Sequence, residues 1–277
     1  MAIHSRLEID ESDAIFIITR RNKMLNETVI VTGGSSGMGK YMAKRLADGG
    51  ANVVITGRSM ERLEATKQEL NPTSGKIYCI EMDVRNIEDV EKMVAETVNE
   101  FGTIDHLINN AAGNFIIAAE DLSVNGWNSV IDIVLNGTFY CSQAVGKYWI
   151  KEKKRGSIIN MVATYAWDAG VGVVHNAAAK AGVLSLTRTL AVEWGSKYGI
   201  RVNAIAPGPI ERTGGADKLM LSEEMAERTR QSVPLKRFGT PEEIAGLAYF
   251  LLSKDAAYIN GEVVTMDGGQ WLNQAPF

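Results

Sequence analysis

Cysteine is scarce in this chain. Only Cys79 and Cys141 occur among 277 residues, one in a stretch that reads as a strand and one in a stretch that reads as a helix. Neither has the spacing of a metal ligand, so no metal centre is expected, and both read as reduced, structural thiols. Long apolar runs are missing too. No stretch reaches the eighteen or so residues that a membrane span needs, which excludes a transmembrane helix. Positive charge is not in excess: 29 Lys and Arg stand against 33 Asp and Glu, for a formal charge of −4. That balance argues against nucleic acid as a partner, while leaving room for a local basic patch that faces an anionic substrate. A secretion signal is also absent. The short apolar patch from Ala14 to Thr19 follows acidic residues and precedes Arg20 and Arg21, the reverse of a signal peptide. Cytoplasmic placement is therefore expected. Met24 stands just before the first apolar strand, so residues 1–23 read as a leader or loosely held arm outside the fold.

What is present is a chain able to bury a full core, with 45% apolar residues. Residues 24–277 are expected to form one domain. Apolar strands fit Val29 to Thr32, Asn52 to Thr56, Lys76 to Met82, His106 to Asn110, Ser157 to Met161, Arg201 to Ile205 and Glu262 to Met266. Between them, apolar residues at helical spacing predict helices from Gly37 to Asp48, Met60 to Leu70, Glu88 to Phe101, Gly126 to Lys151 and His175 to Tyr198. Repeated βαβ units of this kind imply an α/β fold: a single-domain, doubly wound parallel sheet, Rossmann-like, with helices on both faces.

The first strand runs into Thr32-Gly33-Gly34-Ser35-Ser36-Gly37-Met38-Gly39 and then a helix. Free backbone N–H groups and the helix dipole favour a pyrophosphate at such a place, and glycines let backbone and ligand approach. A tight turn alone would look similar. Position inside a βαβ unit makes Gly33, Ser35, Ser36, Gly37, Met38 and Gly39 candidate cofactor contacts. After the second strand, where a carboxylate would bind the ribose of NAD, the chain carries Gly57-Arg58. Arg58 suits a 2′-phosphate, so NADP(H) is the expected cofactor, the plainer alternative being a solvated helix-start arginine. Asp83 and Val84 would flank the adenine, and Asn110, Ala111 and Ala112 offer small or short side chains where a cofactor must lie close.

Together TGGSSGMG, MDV, NNAAG, Lys180, the PGPI of Pro207 to Ile210 and MDGG resemble the short-chain dehydrogenase/reductase family, over about Thr28 to Leu272. Within it, NNAAGNF, DIVLNGTF, TYA, AAAKAGV and INGEVVTMDGG are most similar to 2,4-dienoyl-CoA reductases. Departures from the common family pattern fit that narrower resemblance. Val134, Ala163 and Asn176 stand where most members carry asparagine, serine and tyrosine, and of that tetrad Lys180 alone remains.

The resemblance implies that Tyr165 and Asn114 donate hydrogen bonds to a thioester oxygen while Lys180 holds the nicotinamide ribose. Pro207, Gly208 and Ile210 would pass the nicotinamide carboxamide. An acyl-CoA substrate is implied, with Phe115, Ile117 and Trp167 as candidate walls for its acyl chain or equally as core residues, and Asn176 either contacting substrate or giving structural support. Arg212 could meet CoA phosphates, within a lid expected near 207–232. A homotetramer is implied by family resemblance. Two other readings stay open: a carbonyl or 3-oxoacyl reductase, against which the missing tyrosine and serine count, and a non-catalytic NADP-binding sensor.

Overall fold

A computed structural model describes residues 24–214 and 222–273. The expected leader at 1–23 and part of the expected lid, including Lys218, Leu219, Met220 and Leu221, lie outside the described residues. The strands are β1 (Thr28–Thr32), β2 (Asn52–Gly57), β3 (Lys76–Glu81), β4 (His106–Asn109), β5 (Ser157–Met161), β6 (Arg201–Pro207) and β7 (Val263–Met266). They form a single seven-stranded sheet in the order β3-β2-β1-β4-β5-β6-β7. Every pairing is parallel.

Such a sheet is buried on both faces, so its strands are mostly apolar rather than alternating, with Asn160 and Asn203 buried among the apolar residues. Alternation decides instead which layer each side chain enters. Val29, Val31, Val53 and Ile55 pack with helices α1 (Gly37–Asp48), α2 (Met60–Leu70) and α8 (Pro241–Leu252). Ile30, Val54, Leu107 and Ile158 point the other way, into the layer of α3 (Ile87–Phe101), α5 (Gly137–Lys151) and α6 (Val174–Tyr198). Trp149 of α5 fills that second layer, fully buried, with its indole N–H donating to the Ile104 carbonyl at 2.7 Å. A smaller cluster joins Val162, just after β5, and Ala204 and Ala206 of β6 to Val183 of α6 and to Val134.

The expected continuous helix from Gly126 to Lys151 is interrupted. Helix α4 (Val124–Ile131) passes through a π-helical turn, Asp132–Asn136, before α5 begins. Apolar periodicity does not reveal one extra residue in a turn, which is why the sequence reads as unbroken. Helix α8 was not among the expected elements, and α7 (Glu223–Ser232) occupies part of the expected lid.

Candidate active site

At the switch point between β1 and β4, the order of the strands reverses and their carboxyl ends part to leave a crevice. The turn after β1 forms one wall. Gly33 and Gly37 adopt positive φ angles of 64° and 49°, a conformation that suits glycine. Gly39 is held by space instead: a Cβ there would stand 2.5 Å from the Gly33 carbonyl oxygen and from Asn110 Nδ2. Asn110 ties the two loops together, donating from Nδ2 to the carbonyls of Thr32 at 3.0 Å and Gly33 at 3.1 Å. Thr32 Oγ1 answers by accepting from the backbone N–H groups of Asn110 and Ala111, each at 3.0 Å.

Most helices that begin with Ser, Thr or Asn use that side chain as a cap: Ser59, Asn86, Ser123, Ser222 and Thr240 all accept a first-turn N–H. Ser36, before α1, makes no such bond. The N–H groups of the first turn of α1 therefore remain available, and a pyrophosphate fits this end.

The cleft has a volume of about 1030 Å³. At its β2–β3 side stand Ser35, Arg58, Arg62, Asp83 and Val84. Asp83 is engaged by Arg85, whose guanidinium contacts the carboxylate at 2.5 to 3.1 Å and holds its pKa below the usual range. Arg62, not singled out from the sequence, lines the same end, on the first turn of α2.

At the β4–β5 side the cleft is lined by Asn114, Ala163, Tyr165, Asn176 and Lys180. The sequence separates these residues by up to 66 positions; the loops after neighbouring strands and helix α6 bring them together. Lys180 is buried, and its ammonium donates to the Met161 carbonyl at 2.5 Å. Burial lowers its pKa to about 8. Tyr165 lies on a short 3-10 turn, Thr164–Ala166, and burial pushes its phenol up to about 12, so it is a neutral hydroxyl at physiological pH. Asn114 has its amide orientation fixed: Oδ1 accepts from the backbone N–H of Phe115 at 3.0 Å, which leaves the NH₂ as the free half. Asn176 is fixed in the opposite sense, with Nδ2 donating to the Gly113 carbonyl at 3.2 Å.

Pro207, which ends β6, and Gly208 and Ile210 just beyond it form the far wall, together with Thr213 and Gln270. Not all candidates gather here. Phe115 packs edge-on against the buried His175, ring centroids 4.4 Å apart, and Trp167 against Trp271 at 5.8 Å. Ile117 donates its backbone N–H to Gly172 at 2.9 Å. None of the three lines the cleft among the described residues. Arg212 is spent elsewhere, paired with Glu242 at 2.5 Å and bonded to the Tyr41 hydroxyl at 3.0 Å. The sequence shows a cation at that place but not the carboxylate that α8 brings to it.

Residues 33–270 match a family model described as enoyl-(acyl carrier protein) reductase. The chain is 65% identical over 254 residues to a Bacillus subtilis (strain 168) protein named probable 2,4-dienoyl-CoA reductase, (2E)-enoyl-CoA-producing, a match covering 92% of this chain and 100% of that one. It is 41% identical over 258 residues to a Caenorhabditis elegans protein named probable 2,4-dienoyl-CoA reductase 3, (3E)-enoyl-CoA-producing, covering 91% and 83%. A crystal structure of a short chain dehydrogenase from Bacillus anthracis superposes with a TM-score of 0.84 at 67% identity, covering 91% of this chain and 99% of that one.

Proposed function

Because the chain belongs to the short-chain dehydrogenase/reductase family, we propose that it is an NADPH-dependent reductase of 2,4-dienoyl-CoA thioesters, acting in the cytoplasm on intermediates of unsaturated fatty-acid β-oxidation. The observation that carries this reading is the pairing of Tyr165 with Asn114. One is a neutral hydroxyl without a hydrogen-bond partner among the described residues, the other an amide turned so that its N–H groups are free, and both line one end of the cleft.

When bound, NADPH would supply the hydride that reduces the diene at its δ carbon. Negative charge then spreads along the conjugated chain to the thioester oxygen. Tyr165 O–H and Asn114 Nδ2–H stabilise that oxygen as two donors, and such preorganised donors usually supply the largest catalytic term. Lys180 would hold the nicotinamide ribose through N–H groups left over from its bond to Met161 and adds positive potential. The Gly33–Gly39 turn would take the pyrophosphate and Arg58 the 2′-phosphate, with Pro207, Gly208 and Ile210 beside the nicotinamide. A phenol with a pKa near 12 holds its proton, so Tyr165 orients and water protonates. The α carbon of the dienolate takes a proton from water, releasing hydroxide, and the product is a 3-enoyl-CoA.

Protonation at the γ carbon would give a 2-enoyl-CoA instead, the product in the name of the Bacillus subtilis relative. Loss of nicotinamide absorbance on mixing NADPH with a 2,4-dienoyl-CoA tests the activity, and NMR of the product in deuterated water locates the new C–D bond. No consumption of NADPH would sink the reading. Deuterium at the γ carbon would overturn only the 3-enoyl product.

A further inference from the structure

Asn176 stands one helical turn before Lys180 on α6, with 2% of its surface exposed. Its Nδ2 donates to the Gly113 carbonyl, while its Oδ1 is buried with no hydrogen-bond partner among the described residues. Burying an amide that satisfies only one of its ends is unfavourable, so this residue is poorly explained as a stabiliser. Its one bond reaches a significant place.

Gly113 precedes Asn114 in a segment with no helix or strand, between the end of β4 and the 3-10 turn at Ala119–Asp121. The Thr32 hydroxyl ties the backbone at Ala111, and the Gly172 carbonyl ties it at Ile117. Between those points, the only described bond from another element is the one from Asn176. The side chain of Asn114 is in turn oriented by the next backbone N–H, that of Phe115. The torsions on either side of Asn114 therefore decide where its free NH₂ points, and Asn176 pins the carbonyl that sets them.

We propose that Asn176 is a positioning residue for Asn114: by holding the Gly113 carbonyl from α6, it keeps the Asn114 amide N–H directed at the same point as the Tyr165 hydroxyl. Because α6 also carries Lys180, a single helix fixes both the cofactor-side cation and the loop-borne donor. The catalytic consequence rests on the dienoyl-CoA reading above; the structural one does not.

The test is a cycle of Asn176→Ala, Asn114→Ala and the double variant. Asn176→Ala should keep its melting temperature and NADPH affinity, since it removes a buried unpaired acceptor, while kcat on a dienoyl-CoA falls about ten- to a hundredfold, the scale of loss from a small misplacement. In the Asn114→Ala background the same change should cost almost nothing further. Multiplying losses would overturn the positioning role, as would a fall confined to NADPH affinity.

Asn176→Asp adds a pH readout. As a carboxylate it cannot donate to Gly113, and once protonated it can, so its activity relative to the parent enzyme should rise as pH falls. A constant ratio counts against the proposal. A crystal structure of Asn176→Ala separates this inference from the assigned activity. The Gly113 carbonyl should turn and the Asn114 amide move; an unmoved Asn114 refutes the proposal whatever substrate the enzyme reduces.

Discussion

At the scale of single residues, the site consists of side chains whose roles depend on what each has already bonded. Tyr165 has no described partner, and Lys180 has spent one N–H on Met161. Tyr165→Phe keeps the ring and removes the hydroxyl, so NADPH binding should persist while kcat drops about a hundred- to a thousandfold, the usual loss for one oxyanion donor. Steady-state kinetics beside NADPH titration by fluorescence checks this, and unchanged turnover would remove Tyr165 from the mechanism. Lys180 predicts a pH limb. Burial disfavours its ammonium, which holds the pKa near 8 rather than at the ordinary 10.5. Below pH 8 the folded protein carries the buried charge; between 8 and 10.5 the unfolded chain binds a proton that the folded one does not. Stability from this group therefore rises with pH across that window, while NADPH affinity should fall as the ammonium is lost. Lys180→Arg should shift the limb to higher pH, and an unshifted limb would assign it to another group. Resemblance to the dienoyl-CoA reductases singled out Tyr165, Asn114 and Lys180 in the sequence, and all three line the cleft. Amide orientation was not legible, because it depends on a neighbour's backbone N–H. Nor was the loss of Arg212 to Glu242, which α8 brings from 30 residues away.

At the scale of elements, strands were the most legible, since each is a short apolar run bounded by polar or glycine residues. Helix α8 illustrates a signal present but unread: Pro241 is its first residue, and Thr240 and Glu243 form a capping box, with Thr240 accepting from Glu243 N–H at 3.2 Å and Glu243 accepting from Thr240 N–H at 2.8 Å. The π-helical turn before α5 had no such signal, as its Val134 carbonyl is taken by Thr138 Oγ1 at 2.7 Å, a contact with no mark in composition. The corner between β2 and α2 carries the cofactor prediction. Gly57 ends β2 without a carboxylate, and Arg58 and Arg62 line the cleft there, with no described ion pair for either. NADPH should bind more tightly than NADH by about tenfold or more, the scale of a lost charge-assisted pair. Arg58→Ala should erode that preference through the dissociation constant of NADPH, leaving NADH nearly unaffected. Equal affinities in the parent enzyme, measured by titration of both cofactors, would sink the assignment.

At the scale of the whole molecule, the sheet order sets which chemistry the crevice can run. The loops after β4 and β5 are neighbours because those strands pair, Asn109 opposite Asn160, and this adjacency delivers Asn114 and Tyr165 to one end of the cleft. Helix α6 crosses behind them and supplies Lys180. In a ketone reduction, hydride reaches the carbonyl carbon and the alkoxide must gain a proton on oxygen, a task suited to an acid one helical turn from Lys180. Asn176 stands there, bonded to Gly113, and an amide gives up no proton near neutral pH. Ala163, with its methyl group, offers no donor either. Tyr165 keeps its proton to about pH 12. A dienolate, by contrast, is stabilised by hydrogen bonds alone until water protonates carbon, so the same set of residues suffices. The enzyme should therefore reduce a 2,4-dienoyl-CoA while leaving a 3-oxoacyl-CoA of equal chain length nearly untouched. Parallel NADPH assays on the two thioesters measure this directly. Comparable turnover on the oxo compound would mean that Tyr165 or a water molecule replaces the missing acid, and the division of labour between donors and solvent would have to be redrawn.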